Sequence, residues 1–224
     1  MTIFFWLLYG GDTYMPLLTI LAYIILWKHI KNNELTILLY SIFCFLLFAV
    51  TNILVLKKIN NLALYHFFSL AELIIVSHYV LKLILKKSFS LLWFLISGFY
   101  LAFWICNIIF LQPLNTFNTN TSGITNLVIL FLCMYYLLNL SKSEEILYFQ
   151  KLPAFWIVSA FLIYSALSLL VFISYEYFIK LKMQQEGNQI WIIISIATII
   201  KFILIFVGLL CYKRKPSLQR TILS

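Results

Sequence analysis

Seven long apolar runs, at residues 14–30, 35–56, 62–85, 88–111, 124–141, 154–179 and 190–212, fill most of this 224-residue chain. A bilayer core about 30 Å thick takes about 20 such residues per crossing. Lipid offers the backbone no hydrogen bonds, so each crossing segment must satisfy its own peptide groups. The runs therefore predict an all-α membrane protein, a bundle of seven transmembrane helices forming one domain over residues 1–224. Charge or turn residues bound every run: Lys28 to Glu34, Lys57 to Asn61, Lys86-Lys87, Gln112 to Gly123, Lys142 to Pro153 and Lys180 to Gln189. None of these connections has room for a soluble domain. Charged residues make up 10% of the chain, against roughly a quarter in soluble proteins, so burial is against lipid and between helices.

The net charge of +9 does not point to nucleic acid. Its bases stand in ones and twos at the ends of apolar runs, where they report topology. With the N-terminus outside, the inner side carries Lys28, Lys31, Lys82, Lys86, Lys87, Lys142, Lys151, Lys213, Arg214, Lys215 and Arg220. The outer side carries Lys57, Lys58, Lys180 and Lys182. Those eleven and four, with Lys201, account for all sixteen basic residues. The expected orientation is N-terminus outside and C-terminus cytoplasmic. The opening MTIFFWLLYGGD lacks a basic region and a small-residue cleavage site, so no cleaved signal peptide is expected. Pro16 fits the first turn of a helix, which would start the first span near Thr13, with Ile3 to Tyr9 extending it or lying at the interface. Cys44, Cys106, Cys133 and Cys211 all fall inside apolar runs at no metal-ligand spacing, and read as small buried hydrophobes.

Lys201 cannot reach an end of its run, and Glu72 stands near the middle of the third. An ionisable group at bilayer depth is costly and is by default a functional candidate with a partner to be named. At about 1.5 Å per residue, Glu72 lies about 15 Å below the outer surface, Lys201 about 16 Å, and Tyr164 about 15 Å above the inner surface. The three are expected to share one layer near the midplane. A second layer lies nearer the outside: Asn52 and Asn107 each stand four residues before the end of a span, His66 four residues into the third, and Glu176 near the outer end of the sixth. Tyr65, Ser69, Glu72, Val76 and Tyr79 share one helical face, flanked by His66. This polar stripe is expected to point into the bundle, with its outer part lining a pocket.

Each residue also has a plainer reading. Glu72 with Lys201 can be a packing clamp, because polar groups often hold membrane helices together. His66 with Asn52 or Asn107 can be an interhelical hydrogen bond. Glu176, between Tyr175 and Tyr177, fits an interfacial aromatic belt. The sequon at Asn120 is read as a chance match.

The stretch Asn61-Leu-Ala-Leu-Tyr65-His66, followed by Glu72, resembles the third-helix pattern of a seven-helix integral membrane protein family of Bacteroidetes-type bacteria. Pro153-Ala-Phe-Trp156-Ile-Val-Ser159, leading to Tyr164, is similar to it too, as is Trp191 opening the last span before a basic tail. The resemblance covers nearly the whole chain through short apolar motifs. It implies the architecture, a bacterial inner membrane location and the choice of His66 and Glu72. It carries no established activity, and Lys201 is not part of the pattern.

Three functions are compatible with these residues. The first is a non-enzymatic protein, receptor-like or a subunit of a membrane assembly. It would use His66, Glu72, Lys201, Tyr164, Asn52, Asn107, Glu176 and Ser69 around an outward-facing pocket for a small or lipidic ligand. It would require a protein partner at the cytoplasmic face, since no effector domain is present, and no cofactor. The second is an intramembrane enzyme built on His66, Glu72 and Glu176, although no HExxH-type spacing supports a metal. The third is a retinal-type photoreceptor with a Schiff base on Lys201 and Glu72 as counterion. Against it, no arginine lies near Glu72, and Ala197 stands one turn before the lysine.

Overall fold

The structure, a computed structural model, describes residues 3–30, 34–87, 90–142, 149–181 and 183–214. Among these the chain forms α1 (Ile3–Ile25), α2 (Leu35–Leu56), α3 (Leu62–Leu85), α4 (Leu91–Cys106), α5 (Thr119–Ser141), α6 (Pro153–Lys180) and α7 (Gln184–Leu210), with no strand. Six of these helices, α4 with its continuation to Leu111 among them, are long and apolar enough to cross a membrane, and α1 adds a shorter apolar stretch, Thr13–Ile25. The molecule is a helical multi-pass membrane protein.

Several element ends differ from the sequence reading, each for a local reason. Helix α1 starts at Ile3 and runs straight through Pro16, which was expected in a first turn. Proline removes one helical N–H; one turn on, the Thr19 hydroxyl lies 2.8 Å from the Pro16 carbonyl oxygen and 2.7 Å from Ser41 Oγ on α2, fastening this part of α1 to its neighbour. The helix stops at Ile25, and residues 26–29 turn. Helix α4 begins after Ser90, whose Oγ accepts the Trp93 N–H at 3.2 Å as an N-cap. Its last turn widens into a π-helix, Asn107–Leu111, closed by the Gln112 N–H donating to the Asn107 carbonyl at 2.7 Å. Residues 88 and 89, where this span was expected to begin, lie outside the described residues.

Helix α5 starts at Thr119, five residues earlier than its apolar run. The polar stretch before that run is absorbed because its side chains bond inside the bundle. Asn118 Nδ2 donates to Ser122 Oγ and to the Tyr65 carbonyl, and Asn126 Nδ2 donates to the Ser122 carbonyl. Asn120, the sequon residue, is therefore helical. Helix α3 ends with Lys86 at φ 54°, a left-handed cap that glycine adopts more easily.

The packing order is a closed ring, α1–α2–α3–α5–α6–α7 and back to α1, with α4 lying outside against α3. Helix α4 buries Tyr100, which reaches α5, where its hydroxyl donates to the Thr121 carbonyl at 3.1 Å and lies 2.6 Å from Thr125 Oγ1. Helices α6 and α7 approach closely at Gly208 of α7. A Cβ there would meet Ile157 Cγ1 at 2.9 Å and the Pro153 carbonyl oxygen at 3.0 Å, so a side chain would push α6 and α7 apart. Inside the ring the core mixes aliphatic with aromatic side chains, among them Tyr40, Tyr79, Phe161 and Phe202.

Candidate functional site

Four ring helices send one polar side chain each to a single point in the middle of the bundle. Lys201 of α7 is 0% exposed and Glu72 of α3 is 2% exposed. Their Nζ and Oε1 atoms are 3.4 Å apart, an ion pair. Tyr40 of α2 joins them more closely: its hydroxyl donates to Glu72 Oε1 at 2.5 Å and accepts from Lys201 Nζ at 2.7 Å. Tyr164 of α6 contributes its ring, whose centroid lies 3.4 Å from Lys201 Nζ, a cation–π contact. Phe161 packs edge-on to Tyr40 at 5.2 Å and Phe202 stacks on it at 6.3 Å, so the tyrosine that bridges the charges is itself held on two sides.

The sequence reading named three members of this group and missed Tyr40. Tyr164 takes part through its ring face. Tyr40 sits only about one and a half turns into α2, away from the middle of its run, and is uncharged, so neither position nor charge singles it out in the sequence. The usable signal is the spacing of Ile37, Tyr40, Cys44, Leu47 and Thr51, all buried on one face of α2.

Directly beyond this group, towards the end carrying the α2–α3, α4–α5 and α6–α7 connections, lies a cavity of about 390 Å³. Tyr164 and Thr198 line it together with Tyr65 and Phe68 of α3, Phe172 and Tyr175 of α6, and Trp191 of α7. Tyr164 is thus both a wall of the cavity and the ring over Lys201. Trp191 gathers an aromatic cluster beside it: Tyr175 stacks on it at 5.2 Å, Phe117 and Phe172 meet it edge-on at 5.6 and 5.7 Å, and Tyr65 lies at 6.2 Å. Phe117 belongs to the α4–α5 connection, so this cluster ties a loop to three helices. Aromatic residues near span ends look like interfacial anchors in a sequence, which is why this cluster was not anticipated.

The eight expected site residues divide among different settings. Glu72, Lys201 and Tyr164 meet as described. Asn52 lines the cavity, and its Nδ2 donates to Thr13 Oγ1 on α1 at 2.8 Å. His66 is buried on α3, and its Nε2 lies 3.1 Å from the Thr116 carbonyl, which only accepts, so Nε2 carries the proton and Nδ1 has no partner. Asn107 accepts from Asn120 Nδ2 at 3.0 Å. The expected layer of His66, Asn52 and Asn107 is therefore three separate contacts, two of them fastening the α4–α5 connection and one joining α1 to α2. The Ser69 hydroxyl donates back to the His66 carbonyl at 2.9 Å. Glu176 is half-buried and faces a groove between α5 and α6, with Asn120 and Tyr177, away from the cavity.

Fold and site together define a polytopic helical membrane protein with a buried ion-pair cluster beneath an aromatic cavity. No family model, curated protein or solved structure matches this chain.

Proposed function

We propose that this chain is a seven-helix protein of the bacterial inner membrane, N-terminus outside and C-terminus cytoplasmic. In this reading it is receptor-like or a subunit of a membrane assembly, and takes a small or lipidic ligand in the cavity above Lys201. The basic count of eleven against four supports the orientation, which turns the cavity end outward. A pre-formed cavity of a few hundred Å³, walled by aromatic faces and a few polar groups, is the usual form of a small-ligand site. One observation carries the reading: the ring that walls the cavity, Tyr164, also rests on the ammonium that ties α2, α3, α6 and α7 together. A ligand touching that ring is one side chain away from a four-helix joint. A cytoplasmic protein partner then receives the change, since the short inner connections offer no effector domain. The enzyme reading gains nothing from the geometry, because His66, Glu72 and Glu176 stand in three different settings.

The test is chemical access. Cys106 is exposed, whereas Cys44, Cys133 and Cys211 are buried, so Cys106→Ala gives a quiet background. Ser195→Cys, at a half-buried position of the wall, is expected in that background to react with a membrane-impermeant maleimide added from outside. Labelling only from the cytoplasmic side, or none in correctly folded protein, refutes an outward cavity.

A further inference from the structure

The connection between α4 and α5 enters the cavity wall through Phe117, and that side chain stands between two fastenings to α3. On one side the Thr116 carbonyl oxygen lies 3.1 Å from His66 Nε2; on the other, Asn118 Nδ2 donates to the Tyr65 carbonyl at 2.8 Å. Phe117 itself packs on Tyr175 at 4.6 Å, Phe172 at 5.4 Å and Trp191 at 5.6 Å. Of these holds, only the imidazole changes its charge near neutral pH.

The surroundings of His66 suit the neutral ring and oppose the charged one. His66 is 0% exposed, and its Nδ1 has no hydrogen-bond partner. Protonation keeps the Nε2–H bond to Thr116 and strengthens it. It also adds a second N–H donor without an acceptor, and a buried charge without a counter-ion. No acid, base or histidine occurs anywhere from Ser88 to Ser141, the stretch that holds α4, the connection and α5. The titratable groups there, Tyr100, Cys106, Cys133, Tyr135 and Tyr136, are neutral in this pH range. On α3 the nearest carboxylate, Glu72, is taken by Tyr40 and Lys201. Beyond the end of α2 stand Lys57 and Lys58, whose charge opposes a further cation. Glu176 of α6 faces the groove between α5 and α6, and Asp12 and Glu186 belong to α1 and α7, which do not neighbour α3 in the ring.

We propose that His66 is an acid-operated lock on the α4–α5 connection. Neutral, it keeps Thr116 in place and Phe117 in the cavity wall. Charged, the ring leaves its buried site, Thr116 is released, and Phe117 withdraws from the wall. The backbone is not the moving part, because the His66 carbonyl accepts from Trp104 Nε1 and Ser69 Oγ, each at 2.9 Å. Asn118 stays on Tyr65, so the connection hinges there. Granted the outward cavity proposed above, the signal is acidification outside the cell.

The experiment uses the full chain in lipid nanodiscs, carrying Cys106→Ala and Asn115→Cys labelled with bimane, a fluorophore quenched by tryptophan contact. Asn115 is exposed and adjoins Thr116. Bimane on Ser195→Cys, in the wall itself, is the second reporter. Emission should change along a one-proton curve between about pH 8 and about pH 5, where histidine charges. The change should be about twofold as one position of the connection replaces the other. His78→Gln should leave this response intact. His66→Gln, whose uncharged amide still has an N–H for Thr116, should abolish it, with His66→Asn as the substitute if that variant does not fold. A flat profile at both reporters overturns the lock, and so does a response that survives the loss of His66. Nanodiscs hold both faces at one pH, so the result is independent of orientation, which the sidedness of maleimide labelling tests separately.

Discussion

The ion pair at the centre of the bundle has a decisive double-mutant signature. Placing one charged side chain at bilayer depth costs about 2.5–3.5 kcal/mol on insertion scales, or about 5–7 kcal/mol for two. At the 3.4 Å separation of Lys201 Nζ and Glu72 Oε1, the Coulomb attraction is of order 5 kcal/mol at an effective dielectric near 20. Cost and attraction nearly cancel, so the pair as a whole adds little stability. Removing one partner is different, because the desolvation cost of the other remains without its offset. Losses of about 3–5 kcal/mol are typical of such single deletions in buried pairs.

Glu72→Gln and Lys201→Met preserve shape while removing charge, and each should therefore destabilise strongly. Lys201→Met should be the worse of the two. It leaves a carboxylate with only the Tyr40 hydroxyl, whereas Glu72→Gln leaves an ammonium that keeps both Tyr40 and the Tyr164 ring. The double variant contains no buried charge and should be more stable than either single one, with a coupling of about 3 kcal/mol or more. Reversible unfolding in mixed detergent, followed by tryptophan fluorescence, supplies all four corners of the cycle. Additive losses would show that the two residues act independently and would refute the clamp. A neutral Glu72→Gln would do so even more directly.

Other consequences follow from single contacts. Tyr40→Phe removes the hydroxyl shared by the two charges, and should cost about 1.5–3 kcal/mol in the same unfolding assay, as expected for hydrogen bonds to charged groups. Gly208→Ala puts a Cβ within 2.9 Å of Ile157 Cγ1 and should cost about 1–3 kcal/mol by overpacking. Gly98→Ala, with nothing within 4 Å of the added atom, should instead leave stability unchanged or raise it by about 0.5–1 kcal/mol through helix propensity. Reporter fusions at Lys58 and Asn115 should read as external and a fusion at the C-terminus as cytoplasmic; a cytoplasmic signal at either of the first two would reverse the orientation.

How much of this was legible in the sequence depended on the range of the signal. Lys201 and Glu72 can be paired from the sequence alone, because each is the lone mid-span charge of its run and helical rise converts position into depth. Tyr40 escaped that arithmetic because it stands near the start of α2 and carries no charge to single it out. The start of α5 escaped because Asn118, Ser122 and Asn126 look like a loop until their hydrogen bonds are seen to close within the bundle. Pro16 was read as a helix start because local preference favours it there, and the bond between neighbouring helices at Thr19 and Ser41 carries no local trace. The cavity was least accessible of all. Phe117, Phe172 and Trp191 come from three distant segments, and only the ring order of the helices brings them together.

Tyr164 is where cavity and clamp meet, and the energy available there bounds any communication between them. A ligand can shift a conformational equilibrium only by the difference in its interaction with the two states. A desolvated cation–π contact is worth about 2 kcal/mol. Displacing the Tyr164 ring from Lys201 therefore shifts a two-state equilibrium by roughly thirtyfold through this contact. That is ample for a switch whose states are already close in energy, and too little for one whose states are not. A joint that adds little net stability, yet is costly to leave half-made, favours whole rearrangements over partial ones. Its four contributing helices would then move together.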